Sequence, residues 1–308
     1  MSTLINCDKL LKVYTNTNVC VFESGSKKAY KYLQNGLFGI IFDDYNPNID
    51  VINNFKNEYP NMTIYKITPL KKTLKIDDKF YFSNVMSESS YTPKCYKSKL
   101  EVDDKDALYF IKDREGTGGR KVYIFTYNEL LKEDINFRKN VVQKCCFNNP
   151  DLYNNRNYKI RQLALIHNKD VYLHKESWFS ISEIDYNDEN ILNRRFKYVI
   201  NQRKDVKFEL SHKLTDFSLI FENIKLAIND FKKYYKDDIY NFEPNEYSIL
   251  GFDFVVNDKK DIQIIEINHR PYFLHPLNVR EICDIGFIKD MIILLANKNL
   301  ENTKFIKI

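Results

Sequence analysis

Short apolar runs broken by polar turns dominate the first half of the chain. In residues 1–75, Val19-Cys20-Val21-Phe22, Phe38-Gly39-Ile40-Ile41-Phe42 and Thr63 to Ile67 read as strands, with helices expected over 27–34 and 49–59. Strands alternating with short helices predict a small α/β lobe. Pro69 and the Lys71-Lys72 pair mark its end. In a second block, residues 76–147, Tyr109-Phe110-Ile111, Val122 to Phe125 and 140–147 read as strands, with a helix from Asn128 to Glu133. In the third block, residues 148–308, 158–166 and 171–179 flank the turn His167-Asn168-Lys169-Asp170 and predict a hairpin. A second hairpin is expected from Gly251 to Val256 and from Asp261 to Ile267. Between them, Phe217, Ile220, Phe221, Ile224, Ile228 and Phe231 recur at helical spacing, which predicts an amphipathic helix over 216–235. A closing helix is expected over 278–298. The fold class is α/β (α+β), with a small N-terminal lobe and two further subdomains.

Composition narrows this picture. The chain has 308 residues, 44% of them hydrophobic, which is enough for lobes sharing a large core. Gly and Pro number 8 each against 15% aromatics, which argues against disorder. The 47 bases and 42 acids leave +5, well mixed along the chain. That balance suits an anionic small ligand or an acidic protein tail. It lacks the basic block of a nucleic-acid binder, so no nucleic acid partner is expected. The six cysteines form no C-x-x-C pair, which reads as reduced thiols in a cytoplasmic protein. The N-terminus lacks a signal-peptide pattern, and no apolar run approaches the roughly 18 residues of a membrane span.

The second hairpin holds the clearest chemistry. A turn centred between Lys259 and Lys260 sets Asp253 opposite Glu266, and Asn268 shares a face with Glu266. Two carboxylates facing each other among apolar neighbours are costly unless a cation joins them. Asp253, Glu266 and Asn268 are therefore candidate Mg²⁺ ligands, since Mg²⁺ takes a few protein oxygens and completes its shell with water and phosphate. The alternative is a solvated strand face. Lys112, followed by Gly116, Gly118 and Gly119, suits a phosphate, with a point charge and exposed backbone N–H groups; a bare turn is the alternative. It is not a Walker A loop, because no Gly-Lys-Ser/Thr closes it. Lys159 and Arg161 share a strand face, and the turn arithmetic places Arg161 roughly opposite Glu176. Arg161 is then either an ion-pair partner or a phosphate or carboxylate ligand. Arg270 follows Asn268 at the mouth of the expected site, and His269 and His275 lack zinc spacing.

A lysine and glycine loop, the strand Val142-Gln143-Lys144, the run Arg156-Asn157-Tyr158-Lys159-Ile160-Arg161, Gly251-Phe252-Asp253-Phe254, and Glu266-Ile267-Asn268 with Pro271 follow one another in the chain. This order resembles the ATP-grasp ligases, and more narrowly the tubulin–tyrosine ligase-like family. Tyr91 to Tyr96, Asn149-Pro150 and Leu173 to Glu176 also fit, and the resemblance spans residues 70–295. It implies an ATP-grasp fold with two nucleotide-clamping subdomains and an ATP- and Mg²⁺-dependent carboxylate–amine ligase. The acceptor carboxylate would lie on a small molecule, peptide or acidic protein tail, and the donor would be an amino acid or amine. Lys112 and the Gly116–Gly119 flap would meet the ATP phosphates, with Lys72 as a weaker match to an upstream phosphate lysine. The backbone of Gln143, Lys144, Cys145 and Cys146 would hold adenine. Asp253, Glu266 and Asn268 would hold Mg²⁺, and Arg161 would stabilise the transferred phosphoryl group, with Arg270 alongside.

The chain departs from the family in three places. Asn157-Tyr158-Lys159-Ile160-Arg161 stands for Lys-Phe-Asp-Ile-Arg, so the acid is Lys159 here. An expected arginine is Ser180, and a His-Leu-Thr-Asn signature is reduced to Val199-Ile200-Asn201. These losses open two alternatives. One is a non-catalytic nucleotide-binding module. The other is a ligase acting on small metabolites, for which Arg270 gives some support.

Overall fold

A computed structural model describes residues 18–24, 27–33, 38–41, 57, 60, 63–114, 116, 121–147, 149–190, 194–200, 206–269, 271, 273, 275–297 and 300–308. It is a mixed α and β structure built on two mainly antiparallel sheets. The larger sheet runs β1(Asn18–Ser24), β2(Lys27–Leu33), β3(Phe38–Ile41), β4(Thr63–Ile67), then β13(Glu246–Val256), β10(Arg156–His167), β11(Asp170–Ile181) and β12(Lys207–Leu210). Three more strands join it: β14(Ile262–His269) beside β13, β15(Phe305–Lys307) beside β11, and β9(Leu152–Tyr153) beside β10. The smaller sheet runs β5(Cys95–Tyr96), β8(Asn140–Lys144), β6(Leu108–Asp113), β7(Val122–Thr126). The strands before residue 68 therefore belong to the same sheet as the C-terminal hairpins, through the parallel pairing of β4 with β13.

Helices cover both faces of the large sheet. On one face, α1(Leu70–Asp77), α2(Lys79–Val85) and α5(Phe217–Tyr234) supply Ile76, Phe82, Ile220, Ile224, Ile228 and Phe231 against Tyr158, Ile160, Phe252 and Phe254. On the other, α7(Ile285–Asn297), entered through a π turn at Arg280–Asp284, sets Phe287, Met291 and Leu294 against Leu163, Leu165, Trp178 and Ile249. This double cover explains why β10 and β13 are apolar on both sides rather than alternating. The small sheet has its own core of Tyr96, Tyr109, Ile111 and Val142, closed by Leu130 from α3(Tyr127–Lys132). Thr126 and Glu129 cap that helix reciprocally. The chain leaves and re-enters the small sheet at one place, where the Lys144 N–H donates to the Lys94 carbonyl at 2.9 Å.

Two sequence expectations need correction. Residues 27–34 were expected as a helix, but Lys27–Leu33 is a strand paired with β1. The sequence Gly25-Ser26 is a two-residue hairpin signal, and Tyr30 and Tyr32 are strand formers, which outweighs the weak helical pattern. Arg161 does not face Glu176 but pairs with Trp178. The turn is where expected, with Asn168 and Lys169 both left-handed at φ 50° and 68°. Beyond it, the register steps from Ala164↔Leu173 to Gln162↔Ser177, so β11 carries two extra residues there. Glu176 instead meets Lys304 at 2.6 Å. The helix expected over 49–59 lies outside the described residues, apart from Asn57, which is helical.

Candidate functional site

The two sheets face each other across an open cleft. The small sheet contributes Phe110, Lys112 and Val122, with Gln143 and Cys145 to Phe147 at the end of β8. The large sheet contributes Lys159, Val255, Ile265 and Glu266, and Tyr198 to Ile200 close one side. The empty volume is ≈ 1010 Å³ with its open mouth included.

The β13–β14 hairpin places its acids as expected, by an unexpected route. Near the turn the ladder reads Val256↔Ile262 and Phe254↔Ile264. Ile265 is then left over as a bulge, and the pairing resumes at Asp253↔Glu266 and Gly251↔Asn268. The bulge sets Ile265 and Glu266 side by side on the cleft. Gly251 is needed here, because a Cβ would sit 2.9 Å from Pro271 Cβ and 3.0 Å from Arg161 Cδ. Arg161 crosses over that glycine to reach Asp253.

Three ammonium groups converge on the cleft. Lys112 Nζ donates to Gln143 Oε1 at 2.5 Å and to the Ile265 carbonyl at 3.3 Å. Burial pulls the pKa of Lys112 down, and Glu266 pushes back only in part. Lys79 Nζ donates to the Gly116 carbonyl at 2.7 Å and lies 3.3 Å from Glu266 Oε1. Lys159 Nζ donates to Asp253 Oδ2 at 2.8 Å. Asp253 is fully buried and also receives Arg161 side-on, through Nε at Oδ1 and Nη2 at Oδ2, the latter at 2.9 Å. Burial alone would raise the Asp253 pKa, but Arg161 and then Lys159 hold it below the usual carboxylate range. Burial likewise works to lower the Arg161 pKa, yet Asp253 raises it. Asp77, under Glu266 at the end of α1, accepts the His269 N–H at 2.9 Å, and burial raises its pKa.

These contacts bear on the metal site. The oxygens of Asp253 are already taken by two cations, and Glu266 sits against Lys79. No group of three or more His, Cys, Asp or Glu side chains among the described residues is arranged to hold a metal ion. Asn268 lies beside the pair, and its Nδ2 is buried with no acceptor among the described residues. The three residues are neighbours, but the donor set does not fit Mg²⁺, because the charge that a metal would supply is already there.

No protein-family model and no curated protein matches the chain.

Of the other expected residues, Lys112, Gly116, Gln143, Cys145 and Cys146 line the cleft. Gly118, Gly119 and Arg270 lie outside the described residues. Lys72 is elsewhere: its Nζ lies 2.8 Å from the buried Glu246 Oε2 and 3.6 Å from Glu243 Oε1, a structural pairing at the foot of β13. Lys144 pairs with Asp104 at 2.6 Å. Two N–H groups of the expected adenine hinge are already engaged inside the small sheet: those of Lys144 and Cys145 donate to the Lys94 and Leu108 carbonyls at 2.9 and 2.7 Å. Lys79 was missed because it is one cation among 47 bases with no glycine beside it. Its one local sign is Asp78, which caps α2 and pairs with Arg114 at 2.6 Å, fastening the helix to the loop after β6. No helix among the described residues is long and apolar enough to cross a membrane.

Proposed function

We propose that the chain binds ATP between its two sheets in the manner of an ATP-grasp protein. The observation that carries this is the convergence of Lys79, Lys112 and Lys159 on one cleft with apolar walls. A purine ring asks for an apolar slot, such as Phe110, Val122, Tyr198, Ile200 and Ile265 offer, and a polyphosphate asks for fixed cations. The motif order supports the same assignment and suggests the reaction. A carboxylate oxygen attacks the γ-phosphorus, ADP leaves with the electron pair of the broken P–O bond, and an amine displaces phosphate from the acylphosphate to form an amide. In that reaction Lys112 and Lys159 hold phosphate oxygens, and Arg161 orients the carboxylate Asp253 on which Lys159 rests.

A second function, nucleotide binding without ligation, is favoured by one contact: the Lys159–Asp253 pair closes the position that the ligase resemblance assigns to metal. Two measurements separate these. Calorimetric titration with ATP should show binding in wild type and a fall of about tenfold in Lys112→Met, the loss expected for one charge-assisted contact. Equal affinities would remove the cleft from the nucleotide assignment. A screen for ADP release over pairs of carboxylic acids and amines then decides for or against ligation.

A further inference from the structure

We propose that Lys159 takes the place at Asp253 that a divalent cation would otherwise occupy, so that the cleft binds a nucleotide polyphosphate without divalent metal. The inference rests on the nucleotide assignment above and deepens it. Asp253 is fully buried, and one buried carboxylate needs one counter-charge, which Arg161 alone provides with two hydrogen bonds. Lys159 is a second cation on the same carboxylate, and it lines the cleft. The Lys159–Asp253–Arg161 group therefore carries a surplus positive charge. Lys79 offsets Glu266, and Lys112 adds a further positive charge when protonated. Among the described residues, the four cations Lys79, Lys112, Lys159 and Arg161 against the three carboxylates Asp253, Glu266 and Asp77 leave +1 on this side of the cleft when all are ionised. A divalent ion joining Asp253 and Glu266 would raise that to +3 and meet Lys159 Nζ beside the oxygen it would need. The position of Lys159 is fixed by the fold. Ile160 beside it is wholly buried in the core, so the strand cannot turn, and Arg161 two residues on is tied to the same acid.

The test compares ATP affinity in excess EDTA and in excess Mg²⁺, by calorimetry on the full chain. The two dissociation constants are expected to agree within about threefold. In EDTA, Lys159→Gln should lose about tenfold or more, and Lys159→Arg should retain binding. Mn²⁺ titrated into the nucleotide-free protein and followed by electron paramagnetic resonance should remain free. Binding at least about tenfold weaker in EDTA than in Mg²⁺ would overturn the proposal and leave the nucleotide assignment standing. So would a folded Lys159→Gln protein that binds as tightly as wild type in EDTA, or stoichiometric uptake of Mn²⁺. No ATP binding in either solution would sink both. If Lys159→Gln does not fold, the wild-type comparison and Lys159→Arg still decide.

Discussion

Asp253 holds more charge around it than any sequence pattern indicates. Strand alternation was enough to bring it opposite Glu266, and the legible inference was that two facing acids need a cation. Which cation was not legible. Lys159 sits 94 positions away, and only the pairing of β10 with β13 brings it beside the carboxylate. At this scale the expected outcome of Asp253→Asn is a loss of about 3–5 kcal/mol in urea unfolding at neutral pH, because two cations lose their buried partner. Nucleotide is not needed to see it. The pH dependence follows from the sign of the shift. The folded pKa of Asp253 lies below its unfolded value of about 3.9, so the stabilisation is complete above that value and is lost as pH falls through the folded one. The gap between wild type and variant should therefore narrow only in acid below about pH 4. Lys112 gives the opposite kind of signal. Burial lowers its pKa, so ATP affinity should decline in alkaline solution before an ordinary lysine, near about 10.4, would titrate.

Among the elements, strands with strong alternation or well-marked turns were legible, and irregular register was not. The hairpin turn at Asn168-Lys169 was found from its residues, and its two left-handed positions make a test. Lys169→Gly should raise the melting temperature slightly, by roughly 0.5 kcal/mol of stability, as relief of the left-handed strain outweighs the added chain entropy. The bulges were invisible, because a bulge adds a residue without changing composition. In β10–β11 the irregularity moved Arg161 away from Glu176. In β13–β14 it left Ile265 over and freed its carbonyl for Lys112. Deleting Ile265, rather than substituting it, should keep every other pair of that ladder and remove one of the acceptors that hold Lys112. The expected result is a folded protein, seen by circular dichroism, with weaker ATP binding. Gly251→Ala tests the same hairpin from its other strand. The new Cβ meets Pro271 and the Arg161 stem, and should cost about 1–3 kcal/mol in urea unfolding.

For the whole molecule, the blocks of the sequence appear in two sheets whose strands are not grouped as the chain is. Composition could not show that β4 would pair with β13, since a parallel pairing across nearly two hundred residues leaves no local trace. The small sheet, by contrast, is one continuous stretch with a core of its own, and its ends meet where Lys144 donates to Lys94. The chain enters and leaves this segment at one place, while Asp78–Arg114, Lys79–Gly116 and Lys112–Ile265 lay it over the large sheet. The segment can be cut out and the gap closed by a few Gly and Ser residues, because the join has almost no distance to cross. A protein shortened in this way, with residues 95–143 removed, keeps the large sheet and both of its helical covers but has half a cleft. It would be a built-in blank for every binding measurement on the intact chain, able to fold and unable to grip.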